Sequence, residues 1–222
     1  IAKAGDAKTA MAGARYEKIK RWFWCSVFGQ TYESAPNSRS AKDVAELLSW
    51  FAGGAEPEAI TRFTFDPQAL RDVSPRQRAI YRGTICLILG HGAKDFHTQS
   101  LISGKVMDEQ GIDDHHIFPA AYLDRSLQIP PRSRDCVLNR TLIDRATNQM
   151  ISDRAPSDYL AEIRATEGFP FASVLASHMM PGEEHSSFFR NNFEEFLAWR
   201  QSQLWGEIQG VTGAKAATPL EA

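Results

Sequence analysis

The sequence predicts a mainly α-helical protein with one small ββα unit embedded in it. Three observations predict this class: apolar residues recur at helical spacing in both terminal thirds, a short run at Gly111–Phe118 stops at Pro119, and a second short run at Cys136–Ile143 leads into another helical stretch.

In chain order, Ile19, Trp22, Phe23 and Ser26 lie behind a face carrying Lys18, Lys20 and Arg21, so residues 7–28 read as an amphipathic helix stopped by Gly29. Pro36-Asn37-Ser38 breaks the chain. Ser40, with Asp43 three residues later, resembles a capping box opening a helix through Val44, Leu47, Leu48 and Phe51, which Gly53-Gly54 ends. Ser74-Pro75 supplies an N-cap followed by proline for a helix whose Ile80, Ile85, Leu87, Ile88 and Leu89 leave little polar surface, which marks it as central. Gly90 to Gln110 is a polar, glycine-punctuated connection. Gly111–Phe118 is a strand, Pro130-Pro131 with Ser133 makes the next stretch a loop, and Cys136–Ile143 is the second strand. A helix then begins near Asn148, and Ala155-Pro156-Ser157 opens another that carries Tyr159, Leu160 and Ile163. Phe189, Phe193, Phe196, Leu197, Arg200 and Leu204 give a final helix ending before Gly210. Three parts are expected: 1–110, a helical region connecting to a missing upstream domain; 111–165, the ββα core; and 166–222, helices that pack on it.

The chain has 222 residues, 43% of them hydrophobic, enough for a sizeable core. Its formal net charge of −2 exerts no global pull on nucleic acid, so any such contact needs a local basic patch. Cys25, Cys86 and Cys136 are odd in number and widely spaced, which fits reduced, buried thiols rather than a disulfide framework or a structural zinc site. No signal peptide or long apolar run is present, and a cytoplasmic protein is the expectation. The first residue is Ile1 and the opening dozen are rich in Ala, Lys and Gly, as in a segment of a longer polypeptide.

Chemistry concentrates in Asp113-Asp114-His115-His116-Ile117-Phe118-Pro119 and in the segment from Asn139 to Asn148. A His-His dipeptide by itself is more often structural than catalytic, and a lone Asn is usually a turn residue. Together at this spacing they suit metal-assisted phosphodiester hydrolysis: an imidazole removes a proton from water near neutral pH, while a second imidazole and an amide oxygen hold a divalent ion. His116 is the candidate base, with His115 and Asn148 as candidate ligands. In an ideal strand His115 and His116 point to opposite faces, whereas Asp114 shares a face with His116. Either the strand bends at the motif or Asp114 serves as the substitute ligand.

Asp-His-His-Ile-Phe-Pro, Asn139 and Asn148 nine residues apart, and Ser152-Asp153-Arg154-Ala155-Pro156-Ser157 resemble the HNH (ββα-metal) endonuclease family. The most similar branch is the C-terminal nuclease domain of GmrSD-type and Ssp-type (phosphorothioation-dependent) anti-phage restriction proteins. The asparagine spacing also resembles the HNH domain of RNA-guided CRISPR nucleases, where an Asp precedes the base. Arg21-Trp22-Phe23-Trp24, Tyr32, Asp43, Ser177-His178, Phe193 to Leu197 and Arg200 are similar to the flanking helices of the restriction branch.

The resemblance implies His116 as general base, His115 as first metal ligand, Asn148 as final ligand, and Asn139 in a loop-ordering or base-orienting role. It also favours the bend that brings both histidines to the cleft. His115 stands where many relatives have Asp, and a nitrogen donor makes zinc or nickel competitive with the magnesium or manganese otherwise expected. The implied activity is nicking of double-stranded, phage-derived DNA in a restriction system, with a nucleotide-hydrolysing sensor domain upstream in the same polypeptide. Arg140, Arg145 and Arg154, with Arg125, Arg132 and Arg134 in the connecting loop, are candidate phosphate contacts, the alternative for them being a solvated face with local salt bridges to Asp144 and Asp153. A competing reading is a DNA-binding or signal-transmitting helical module with a degenerate site. His178 reads as a hydrogen-bonded core or helix-end residue.

Overall fold

The computed structural model describes residues 13–33, 36–103, 111–166 and 170–214. Helices dominate, and one two-stranded antiparallel sheet interrupts them. The longer elements are α1 (Ala14–Phe28), α2 (Pro36–Phe51), α3 (Arg78–Gly90), β1 (Ile112–His116), β2 (Arg140–Asp144), α4 (Arg145–Ile151), α5 (Pro156–Arg164), α6 (Phe171–Ser177) and α7 (Phe193–Thr212). Contacts divide the chain into two compact units, residues 1–66 with 205–222, and residues 67–204. These boundaries differ from the expected breaks at 110/111 and 165/166, because α3 and the first part of α7 contribute to the same compact unit as the sheet.

In the first unit α1 ends at Gly29 as expected, and residues 7–12 of the expected helix lie outside the described residues. Cys25, Trp50 and Ile60 form its core, with Trp22, Leu47 and Phe63 packed around them. Arg21 Nε donates to the Thr212 carbonyl at 3.0 Å, and Cys25 Sγ at 3.6 Å, so an acceptor at the end of α7 that has no partner within the helix is satisfied. The second helix begins at Pro36 rather than Ser40: the proline read as a break is its first residue, where a missing N–H costs nothing. Asp43 is no cap. It is buried between Tyr32, which donates to it at 2.6 Å, and Arg39 at 3.0 Å. Four of the five tryptophans, Trp22, Trp24, Trp50 and Trp205, belong to this unit, and Trp199 belongs to the other.

The second unit surrounds the sheet. Helix α3 starts at Arg78, four residues after the expected cap, since Ser74 Oγ and Gln77 Oε1 bond each other at 3.0 Å. It buries Ile80, Tyr81, Thr84, Ile85, Leu87 and Ile88, while Cys86 is exposed, unlike Cys25 and Cys136. Phe118, two residues beyond β1, packs on Phe196 and Phe193 with ring centroids 5.1 and 5.3 Å apart. Tyr159 of α5 donates its hydroxyl to the Ile117 carbonyl at 2.7 Å. The first strand thus runs directly into the aromatic core.

The sheet pairs Ile112 with Asp144, Asp114 with Leu142 and His116 with Arg140. Its second strand starts at Arg140, not Cys136, because Val137–Asn139 forms a 3-10 turn. Pro131–Arg134, expected as loop, is one helical turn with proline in its first position. Helix α4 starts at Arg145, three residues before Asn148, because Asp144 caps it by accepting from Ala146 N at 2.8 Å. Helix α5 matches the expected pattern; α7 carries the expected apolar residues from Phe193 to Leu204, but Phe189 precedes it and it runs through Gly210, its expected stop, to Thr212.

Buried polar groups lock the sheet to its surroundings. Asp95 accepts from Asp144 N and Thr147 Oγ1, both at 2.8 Å, and from the Thr98 and His97 amides, so hydrogen bonds outweigh burial and hold its pKa below the ordinary carboxylate value. His178 is fully buried, as its reading as a core residue anticipates. Its Nε2–H donates to the Lys94 carbonyl at 2.6 Å, and Nδ1 accepts from Thr141 Oγ1 at 2.7 Å. Burial pushes its pKa down to about 4. Between pH 6.5 and 4 the unfolded chain therefore takes up a proton that the folded His178 refuses, so stability complete above 6.5 falls as pH drops toward 4. Urea midpoints followed by circular dichroism should decline across that window. His178→Gln should give a lower midpoint at pH 7 and a shallower decline.

Candidate functional site

Strand β1 stays in register with β2 through His116, and the Ile117 amide extends the ladder by donating to the Asn139 carbonyl at 3.0 Å. The implied bend is absent. Side chains alternate instead: Asp113 and His115 project to one face with Thr141, while Asp114 and His116 project to the other with Arg140. The motif is split into two clusters joined through the strand.

On the inner face, His115 Nδ1–H donates to Asn148 Oδ1 at 2.7 Å, and Asn148 Nδ2 donates to Asp113 Oδ2 at 3.0 Å. Asn148 reaches them from the first turn of α4, an orientation set by the Asp144 cap. His115 is 3% exposed, and burial lowers its pKa to about 4, so the ring is neutral at physiological pH. With Nδ1 carrying the proton, Nε2 is a bare acceptor, buried and without a hydrogen-bond partner among the described residues.

On the outer face, His116 Nε2–H donates to Asp135 Oδ1 at 2.7 Å, which leaves Nδ1 as the basic nitrogen. Burial and the nearby Arg140 lower the His116 pKa below the usual imidazole value, with Asp135 opposing them. Asp135 is kept ionised against its burial by Arg134, 3.1 Å away, and by His116 itself. Beside this pair, Tyr81 of α3 donates to Asp114, whose carboxylate also lies 3.5 Å from Arg140. Burial and Asp114 raise the Tyr81 pKa, so its hydroxyl remains a donor.

Asn139 organises the loop between the strands. Its Oδ1 accepts from the Phe118 amide at 2.8 Å, and its Nδ2 donates to the Phe118 and Arg134 carbonyls at 3.1 and 2.9 Å. Arg134 immediately precedes Asp135, so this carboxamide fixes the backbone that presents Asp135 to His116.

The structure therefore brings His115 and Asn148 together and places His116 on the opposite strand face. Asp114 does not join His115 and Asn148, since it faces Tyr81 and Arg140; Asp113 stands beside Asn148 instead. Of the candidate phosphate contacts, Arg140 is engaged by Asp114 and Asp135, Arg145 by Asp113 at 3.4 Å, and Arg154 by Glu162 and the Met150 carbonyl. The partners of these three are not the Asp144 and Asp153 of the salt-bridge alternative, whereas Arg125 does pair with Asp153. Asp135, Tyr81 and Asp113 were missed from sequence. Asp113 was findable, being two residues before His115 on the same strand face. Asp135 and Tyr81 reach the site only through the tertiary fold.

Among the described residues no three His, Cys, Asp or Glu side chains form a metal cage, so an ion here would need Asn148 and solvent in its shell. The donors present fit one in the other tautomer of His115, with the proton on Nε2, which leaves Nδ1 and Asn148 Oδ1 as two lone-pair atoms 2.7 Å apart; two ligands held about 2.1 Å from an octahedral ion at right angles stand about 3.0 Å apart. The Asp113 carboxylate, bonded to Asn148 Nδ2, stands beside them as an oxygen donor, and one nitrogen with oxygens is a mixed set that admits manganese, nickel or zinc as well as magnesium.

No helix among the described residues is long and apolar enough to cross a membrane. No family model and no solved structure matches the chain. An uncharacterized protein of Methanocaldococcus jannaschii is 31% identical over an alignment of 219 residues, which covers 86% of this chain and 37% of that protein. The chain thus spans little more than a third of the length of that relative.

Proposed function

We propose that this chain is a metal-dependent HNH-type endonuclease domain that nicks DNA by hydrolysing a phosphodiester bond. What carries the reading is the pair of contacts made by adjacent histidines: His115 to Asn148 from the first turn of a ββα unit, and His116 to a carboxylate that leaves its other ring nitrogen basic. His116 Nδ1 takes the proton from the attacking water, and Asp135 orients the ring and offsets the imidazolium that forms. His115, Asn148 and Asp113 would hold the divalent ion. When bound, that ion supplies charge neutralisation at the phosphate and stabilises the departing 3′ oxygen. Arg140, poised between Asp114 and Asp135, restrains both carboxylates and keeps the His116 pKa low. A cytoplasmic place in anti-phage restriction, with an upstream nucleotide-hydrolysing sensor, belongs to the same reading and rests on the motif's resemblance.

The second reading, a DNA-binding or signal-transmitting module with a degenerate site, draws on the direct His115–Asn148 hydrogen bond, which closes the ligand pair upon itself. Supercoiled plasmid separates the two: conversion to open circles with manganese or magnesium supports the nuclease, and a gel shift without conversion supports the module.

His116→Ala should abolish nicking while lowering the melting temperature by only about 2–4 °C, the effect of roughly one lost hydrogen bond in a chain of this size. Normal nicking by that variant would remove His116 from the base position. Asn148→Ala should lose nicking and regain part of it at raised metal concentration, as measured by metal titration of the nicking rate. The rate should rise with pH through a midpoint below 6.5, in line with the lowered His116 pKa. Asp135→Asn removes the carboxylate that opposes that lowering, so the midpoint should move further down while the plateau rate falls; a pH–rate profile reads both.

A further inference from the structure

Three arginines in the second unit carry charge that nothing neutralises among the described residues. Arg76, Arg78 and Arg82 are exposed and have no carboxylate partner there. Neighbouring arginines of the same unit behave otherwise: Arg71 pairs with Glu194, Arg132 with Asp72, Arg134 with Asp124 and Arg154 with Glu162. Arg78 and Arg82 are four residues apart on α3, a spacing at which like charges repel and destabilise the helix. An uncompensated cluster of this kind costs stability unless an anion covers it.

Its position says which anion. Arg76 lines a cleft of about 570 Å³ whose walls are the segment from Asp72 to Gln77 and the loop carrying Pro131, Arg132 and Asp135, with Arg140 completing it. Asp135 is the residue that bonds His116, so the cleft adjoins the outer face of the motif. Arg132, held only by an exposed pair with Asp72, can exchange that carboxylate for a phosphate at little cost. Arg78 and Arg82 continue the charge beyond the cleft along the exposed side of α3.

We propose that this cleft and the adjoining stripe of α3 bind the phosphodiester backbone of duplex DNA, through Arg76, Arg78 and Arg82 with Arg132 beside them. The strand to be cut then approaches from the His116 face, and three of the four arginines, Arg76, Arg78 and Arg82, lie outside the ββα unit. This rests on the nuclease reading for its substrate, and the binding itself needs no metal. The guanidinium groups act by neutralising phosphates, so they contribute affinity and salt dependence rather than sequence preference.

The test is fluorescence anisotropy with a labelled duplex of random sequence in EDTA, titrated over a range of KCl. The Arg76→Ala, Arg78→Ala, Arg82→Ala triple variant should bind at least tenfold more weakly than the unmodified chain, and its log–log salt slope should be smaller by about 2–3, roughly 0.9 per lost phosphate contact. A control triple, Arg125→Ala, Arg164→Ala and Arg190→Ala, removes the same charge from paired positions elsewhere in the unit and should bind nearly as the unmodified chain does. Equal binding by the first triple, equal weakening by both triples, or no binding by the unmodified chain would each overturn the proposal. Plasmid nicking with manganese is scored separately. Binding lost in the first triple alone, with no nicking by the unmodified chain, would sustain the cleft while removing the nuclease. Nicking by a first triple that binds normally would do the reverse.

Discussion

The Asn139 carboxamide, wholly buried, holds together the two ends of the loop between the strands. It takes the Phe118 amide, gives to the Phe118 carbonyl, and gives again to the Arg134 carbonyl. Each bond satisfies a backbone group that has no ladder partner, and in a buried place an unsatisfied one would cost about 1–3 kcal/mol. Through this one side chain the end of β1 and the start of β2 are kept in register, Phe118 is delivered to the aromatic core, and Asp135 is set against His116. No strand pairing does this work, since the connecting segment consists of short helical pieces, residues 120–127, Pro131–Arg134 and Val137–Asn139.

Strand alternation then divides the labour of the motif. Adjacent histidines on an unbent strand must face opposite ways, and here each finds a different kind of partner: a neutral amide in a dry interior for His115, an ionised carboxylate at an accessible edge for His116. Both rings are neutral near pH 7, although by different balances. Desolvation dominates at His115, while at His116 burial and Arg140 prevail over Asp135. The inner face is closed by further buried polar groups, Thr141 with His178 and Thr147 with Asp95, which fix the sheet against its supports more than they add net stability.

How much of this could be read from the amino acids differs by element. Helices with a sustained apolar period, such as Pro156–Arg164 and the one carrying Phe193 to Leu204, were legible because their burial keeps a local rhythm. Ends were less so. Pro36 reads equally as a breaker or as a first helical residue, and the choice depends on whether Trp50 and its neighbours find a core to pack into. Residues 136–139 look like strand by composition, but Asn139 bonds sideways to Phe118 and Arg134, and the turn that this demands shortens β2. At the site, His115, His116, Asn139 and Asn148 stood out by spacing, whereas Asp135 and Tyr81 are brought there by loop closure and by α3. Contacts of that kind leave no local periodicity to detect.

The uneven placement of indoles has an optical consequence. Trp22, Trp24, Trp50 and Trp205 all sit in the unit that lacks the ββα motif, and Trp199 alone reports from the other. Intrinsic emission during denaturation will mostly track the unit that lacks His115 and His116. A change confined to the histidine-bearing unit can leave that signal almost untouched.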